Sequence, residues 1–269
     1  MSYVERIVPG QPEWKAYIAG HRHRYRFAAQ SVRGSRVLDA GCGVGYGSRM
    51  LVDAGAEEVV AVDISDTALD QARQYFAHPR VSFVQDDCET LSRVTGSFDT
   101  IVAFESMEHF HEAGKFLERA AHLMSPNGVF ICSVPNSLVF LPAGDGRPLN
   151  PFHVHEYAPD EFRKLLSRHF EAVTVMAQHF TAAYVLAKQA ALLWSNPFFR
   201  AGSLIQRLWG HKLRWNPPVP ECTESDYVMR EDELDSAEVL VGVCRGSLLR
   251  SDQSTQSTDL EEPAVPLKR

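Results

Sequence analysis

Glu105, Glu108 and His109 stand close together in the run Glu105-Ser106-Met107-Glu108-His109-Phe110. Their i, i+3, i+4 spacing is the one that a single turn of helix gathers on one face. Two carboxylates and an imidazole gathered this way have two chemical uses. They supply half of the octahedral ligand set of Mg²⁺ or a similar divalent ion. Alternatively, the imidazole accepts the proton that a hydroxyl must lose as it attacks an electrophile. A purely structural reading has His109 hydrogen-bonding the glutamates and nothing more. The group directly follows Phe98-Asp99-Thr100-Ile101-Val102-Ala103-Phe104, an apolar strand signal.

A ligand-binding stretch precedes it: Val37-Leu38-Asp39-Ala40-Gly41-Cys42-Gly43-Val44-Gly45-Tyr46-Gly47. Two apolar residues lead into an acid, and glycines then recur at every second position. A buried strand therefore runs into a loop whose backbone a ligand can approach closely. A dinucleotide fingerprint would place its third glycine at position 46, where this chain has Tyr46. Asp39 would repel a pyrophosphate. It suits a ligand with a cationic end, such as the amino acid moiety and sulfonium of S-adenosylmethionine. The pattern Asp-x-Gly-x-Gly-x-Gly resembles motif I of the class I S-adenosylmethionine-dependent methyltransferases, in the group of ubiquinone and natural-product O-methyltransferases.

The acid ending Val60-Ala61-Val62-Asp63 can accept both ribose hydroxyls of a nucleoside, with Ile64 beside it. The resemblance implies further cofactor contacts. Gly41, Gly43 and Gly45 cradle the ligand. Asp87 takes the adenine amino group, Asp86 standing where a glycine is frequent, and the backbone of Cys88 meets the ring. Phe104 and Glu105 lie beside the reactive methyl group. The stretch His21-Arg22-His23-Arg24-Tyr25-Arg26-Phe27 is similar to a start seen before motif I in many bacterial members, which implies that Arg24 or Tyr17 reaches the methionine carboxylate. The alternative is a solvated basic face.

The loop Asn150-Pro151-Phe152-His153-Val154-His155-Glu156-Tyr157 resembles a segment of subfamilies that carry Glu-x-x-Glu-His after the fourth strand. These include small-RNA 3′-terminal 2′-O-methyltransferases and ubiquinone-biosynthesis O-methyltransferases. The likeness implies a metal set of Glu105, Glu108, His109 and His153, with substrate hydroxyls in the open positions. His153 matches the later ligand better than His155, and both stand with Glu108 and His109 as catalytic candidates. The function implied is O-methylation of a hydroxyl on a small or medium-sized metabolite: a sugar, a natural product, or a quinone- or lipid-like molecule. One alternative is an RNA ribose 2′-O-methyltransferase. The net charge of −7 and the lack of a basic stripe with interleaved aromatics weigh against nucleic acid, although Arg200, Arg207, Lys212 and Arg214 could form a small patch. Another alternative is a non-catalytic S-adenosylmethionine-binding module, against which the polar cluster after strand four argues.

The elements that must position these residues alternate. Residues 12–32 show helical periodicity (Trp14, Tyr17, Ile18, His21, Tyr25, Ala28), and the resemblance implies that this helix covers the cofactor. Strand signals at 36–39, 59–62, 81–84, 100–104, 129–134 and 172–176 alternate with helix signals at 48–53, 66–76, 112–124 and 159–168. Ser65 is a candidate N-cap. Such alternation implies an α/β fold with a Rossmann-like, doubly wound, mostly parallel sheet. The resemblance implies seven strands with an antiparallel last pair, the final strand being Val239–Cys244. Residues 1–249 are then one methyltransferase domain. Residues 178–236 read as an aromatic-rich helical insertion, a cap of two helices joined near Asn196-Pro197, the alternatives being a substrate lid, a dimer surface or, over 180–213, weak membrane-interface contact. Residues 250–269 read as a disordered tail.

The 269 residues are 45% apolar, ordinary for a globular chain. Five scattered cysteines without a Cys-x-x-Cys pair read as free thiols in a reducing cytoplasm. No run reaches the roughly 18 apolar residues of a membrane span. The oligomeric state is open.

Overall fold

The computed structural model describes residues 9–10, 12–140, 147–195 and 221–249. Strands β1 (Arg36–Ala40), β2 (Glu58–Asp63), β3 (Val81–Gln85), β4 (Phe98–Phe104), β5 (Met124–Pro135), β6 (Phe170–Phe180), β7 (Tyr227–Arg230) and β8 (Val239–Ser247) form one sheet in the order β3-β2-β1-β4-β5-β8-β6-β7. The pairs β3-β2, β2-β1, β1-β4 and β4-β5 are parallel. β8 is antiparallel to both β5 and β6, and β7 is antiparallel to β6. Six strands therefore share one direction, and β7 and β8 oppose it.

The central strands are apolar along nearly their whole length, so both faces need cover. Helices α1 (Pro12–Ala28), α2 (Tyr46–Asp53) and α3 (Asp66–Phe76) lie on one face, and α4 (Ala113–Leu123) and α5 (Pro159–Leu166) on the other. Alternate side chains of β1 divide between the layers, as the pleat requires. Val37 joins Tyr25, Ala28, Leu51 and Val52, while Leu38 joins Phe116, Leu117, Phe162 and Leu166. Ser65 caps α3, its hydroxyl accepting from the Ala68 N–H at 3.3 Å. The helix expected over 12–32 ends at Ala28 and continues as a 3₁₀ turn, Ala29–Ser31.

The sheet has eight strands rather than seven. The extra one, β7, comes from the stretch expected to be a helical insertion. That stretch opens with the end of β6, continues as helix α6 (Ala182–Ser195), and returns through a 3₁₀ turn at Glu224–Asp226 into β7. The expected second helix beyond Asn196-Pro197, the basic residues Arg200–Arg214 and the tail 250–269 lie outside the described residues. Among the described residues no helix is long and apolar enough to cross a membrane.

Candidate active site

Among the described residues, every cofactor, metal and catalytic candidate named above except Tyr17 and Arg24 lies at or beyond a strand's C-terminal end. The strand order reverses between β1 and β4, the position where open α/β sheets bind ligands. The loop after β1 turns through left-handed backbone at Gly41 (φ 79°), Gly43 (φ 54°) and Gly45 (φ 83°). A side chain at Gly41 would strike the Ser106 hydroxyl, which is anchored to the Ala40 and Phe104 carbonyls. The Asp63 carboxylate closes the loop, accepting from the Gly43 N–H (2.9 Å) and the Ser65 N–H (2.9 Å).

Asp39 stands behind this loop and has no exposed surface. Tyr25 Oη donates to its Oδ1 (2.9 Å) and Ser48 Oγ to its Oδ2 (2.6 Å). The acid expected to face a ligand's cationic end instead ties α1 and α2 to β1. Burial raises its pKa from the usual 3.8 to about 6, against the two hydrogen bonds that favour the anion. An acid with a raised folded-state pKa stabilises the fold most below its unfolded value, and that contribution is lost as pH rises through 6. Asp39→Asn cannot ionise. Between pH 4 and pH 7 its stability should therefore gain on that of the wild type by about 3 kcal/mol. Urea unfolding at a series of pH values checks this; parallel curves would refute it.

At the mouth, Ile64 is 59% exposed and Asp87 is exposed beside buried Cys88. Asp86 is consumed internally, accepting from Ser92 Oγ and the Arg93 N–H. Tyr17 is also exposed. Arg24 is buried, donating to Gln178 Oε1 with its Nη2 3.9 Å from Glu105 Oε1. Its Nε has no hydrogen-bond partner.

The stretch after β4 departs from the single helical turn expected of it. Glu105 takes a left-handed backbone (φ 50°), followed by a 3₁₀ turn over Met107–His109. The Glu105 side chain is thereby set against β5, accepting from Ser133 Oγ (2.7 Å) and facing Arg24. Ligand atoms of Glu108, His109 and His153 lie within 4.8 Å of one another; Glu105 is not in that group, which corrects the four-ligand expectation. His155 is also separated, its Nε2 paired with Glu161 Oε1 at 2.7 Å on the half-exposed start of α5.

The Glu108 carbonyl accepts from the Val154 (2.7 Å) and His155 (3.1 Å) N–H groups, docking the histidine loop onto the turn. His109 Nδ1 lies 2.8 Å from the Phe152 carbonyl. A carbonyl only accepts, so Nδ1 carries the proton and, in the neutral ring, Nε2 is the basic nitrogen. Glu108 is almost wholly buried and its Oε2 has no hydrogen-bond partner. Burial, followed by the charge of Glu105, drives its pKa well above the carboxylate range.

Tyr25, Ser48, Ser133 and Gln178 were not among the sequence candidates, because each acts on a partner distant in the chain. Asn150 and Glu156 were within reach of sequence reasoning: with His153 they place polar groups at every third position.

Residues 37–128 match the family model described as a methyltransferase domain. The chain is 33% identical over 162 residues to a probable S-adenosylmethionine-dependent methyltransferase of Mycolicibacterium smegmatis, covering 60% of this chain and 62% of that protein. It is 35% identical over 122 residues to the ubiquinone biosynthesis O-methyltransferase of Azorhizobium caulinodans, covering 45% of this chain and 47% of the relative. The match therefore spans less than two thirds of these relatives' length. An S-adenosylmethionine-dependent methyltransferase structure from Thermotoga maritima superposes with a TM-score of 0.55 at 15% identity, covering 87% of this chain and 94% of that one, a likeness of fold. The glycine loop at the switch point, the sheet order and these matches together make residues 37–128 a methyltransferase domain of the class I S-adenosylmethionine-dependent kind.

Proposed function

We propose that the chain transfers the methyl group of S-adenosylmethionine to a hydroxyl of a small or medium-sized acceptor with an apolar part, assisted by a divalent cation at Glu108, His109 and His153. The observation that carries this reading is the Glu108 Oε2 atom, a buried acceptor with no hydrogen-bond partner beside two imidazoles. Buried polar atoms are rarely left so, and a cation would complete this one. One carboxylate with two imidazoles suits Mn²⁺, Co²⁺ or Zn²⁺ better than Mg²⁺, which prefers an all-oxygen set. Such an ion would polarise the acceptor hydroxyl.

The chain's own residues supply position and charge. Arg24 offers buried positive charge to the cofactor's carboxylate. Asp63, with Ile64 and Asp87 at the mouth, suits a ribose and a flat base. Leu138, Phe140, Leu149, Phe152 and Val154 are 40–48% exposed on the two arms of the loop that carries His153, an apolar rim suited to an acceptor's hydrocarbon part. The ubiquinone O-methyltransferase likeness agrees with such an acceptor.

Dialysis against a chelator should abolish transfer from a labelled donor, and Mn²⁺ should restore it. Unchanged turnover in excess chelator would remove the cation and leave a histidine as the proton acceptor. Within a panel of hydroxylated acceptors, those bearing an alkyl chain should show the lower KM.

A further inference from the structure

His153 is held on both sides by residues to which no role has yet been given. Its Nε2 lies 2.8 Å from Asn150 Nδ2, and its Nδ1 lies 2.7 Å from Glu156 Oε1. The Asn150 amide orientation is settled by its other end, since Oδ1 accepts the Phe152 N–H at 3.1 Å. The group facing His153 is therefore the NH₂, a donor only, so Nε2 must accept. The ring proton then sits on Nδ1 and is donated to Glu156. The pair is enclosed, with side chains 11% and 7% exposed, so water competes weakly for either hydrogen bond.

From this geometry we infer that Glu156 and Asn150 are positioning residues of the site. Glu156 fixes the tautomer of His153, and Asn150 covers the one lone pair that this tautomer leaves. The inference rests on the reading of Glu108, His109 and His153 as the reacting cluster. A carboxylate behind a histidine locks the ring's orientation and raises its basicity as a ligand. Whatever the ring binds it binds at Nε2, in competition with the Asn150 amide. Asn150 thus keeps a buried lone pair satisfied until a ligand displaces it, and release of that amide is a cost of loading the site. His109 has the same arrangement by a different route, with Nδ1–H held by the Phe152 carbonyl. Both imidazoles of the cluster are therefore set to bind through Nε2.

The test uses the full chain labelled with ¹⁵N-histidine, near neutral pH. Long-range proton–nitrogen spectra should show His153 as the Nδ1–H tautomer in the wild type. Glu156→Gln, whose amide oxygen still accepts from Nδ1, should retain it, and Glu156→Leu should shift the ring toward the other tautomer. Mn²⁺ binding by calorimetry should weaken about 10–100-fold in Glu156→Leu, less in Glu156→Gln, with cofactor affinity unchanged in both. Asn150→Ala should leave the tautomer intact and bind Mn²⁺ as tightly as the wild type or more so. An Nε2–H tautomer in the wild type, or a Glu156→Leu chain with unaltered tautomer, overturns the role of Glu156. An Asn150→Ala chain that binds Mn²⁺ tenfold more weakly overturns the covering role of Asn150. If the wild type takes up no Mn²⁺, the cation reading fails while the tautomer spectra still decide the inference. If Glu156→Leu does not fold, the wild-type and Glu156→Gln spectra decide it.

Discussion

Glu108→Gln should lower methyl transfer about 10²–10⁴-fold while leaving cofactor affinity unchanged and the fold no less stable. The two effects separate because the side chain and the backbone of Glu108 do different work. The Glu108 carbonyl holds the Val154 and His155 N–H groups, and those hydrogen bonds survive any change of side chain. The carboxylate is nearly without exposure, has an unpartnered Oε2, and faces the charge of Glu105. Its ionisation is a cost to the folded state.

Because burial raises its pKa, its contribution to stability is lost as pH rises through the folded-state value. The advantage of Glu108→Gln in unfolding experiments should therefore grow with pH. A glutamine of the same shape removes the charge that binds a cation or takes a proton. Labelled-methyl assays, cofactor calorimetry and thermal unfolding at several pH values check each part. If Glu108→Gln lost stability and kept its turnover, Glu108 would be structural. A buried carboxylate that costs stability is better explained by function than by packing.

Gly47→Ala should destabilise the protein by about 3 kcal/mol, although alanine ordinarily stabilises a helix by up to about 1 kcal/mol over glycine. A Cβ at Gly47 would lie 2.0 Å from Cζ of the Tyr25 ring. That ring has little room to retreat, being packed edge-on against Phe104 (centroids 4.9 Å apart) and Tyr46 (5.7 Å) and donating to Asp39. Overpacking costs about 1–3 kcal/mol, and a buried Asp39 deprived of Tyr25 adds about 1–3 kcal/mol more. Cofactor affinity should fall as well, because Tyr25 and Asp39 hold α1 and the glycine loop together.

A double-mutant cycle isolates the clash: Gly47→Ala should cost almost nothing in a Tyr25→Ala background. Gly114→Ala in α4, where a Cβ meets nothing within 4 Å, is the control and should be neutral or stabilising. Equal behaviour of the two glycine variants in urea unfolding would show that the close approach is not real.

The sheet was legible in the sequence because buried parallel strands leave a local mark. Val37-Leu38, Val59–Val62 and Thr100–Phe104 are apolar runs, each followed by turn or cap residues, and every one became a strand. The glycine loop was legible for the same reason, since three left-handed backbone positions in close succession strongly favour glycine. β7 was not legible: a four-residue edge strand with half-exposed side chains carries too little apolar pattern to stand out from a helical insertion.

At the candidate site, residue types and spacing alone marked Glu108 and His109, and the resemblance added His153. Helical spacing also predicted that Glu105 would join them. That failed because one left-handed residue and a 3₁₀ turn replaced the helical turn, and the partners that hold Glu105 away, Ser133 and Arg24, are remote in sequence. Asp39 was legible as an important acid, but its direction was not, since Tyr25 and Ser48 claim it from two different helices. The sequence by itself determined which groups line the end of the sheet, because that follows from local backbone preference and strand order. Only the tertiary structure decided which of them meet, because hydrogen bonds between distant segments set each side chain's direction and no local pattern encodes them.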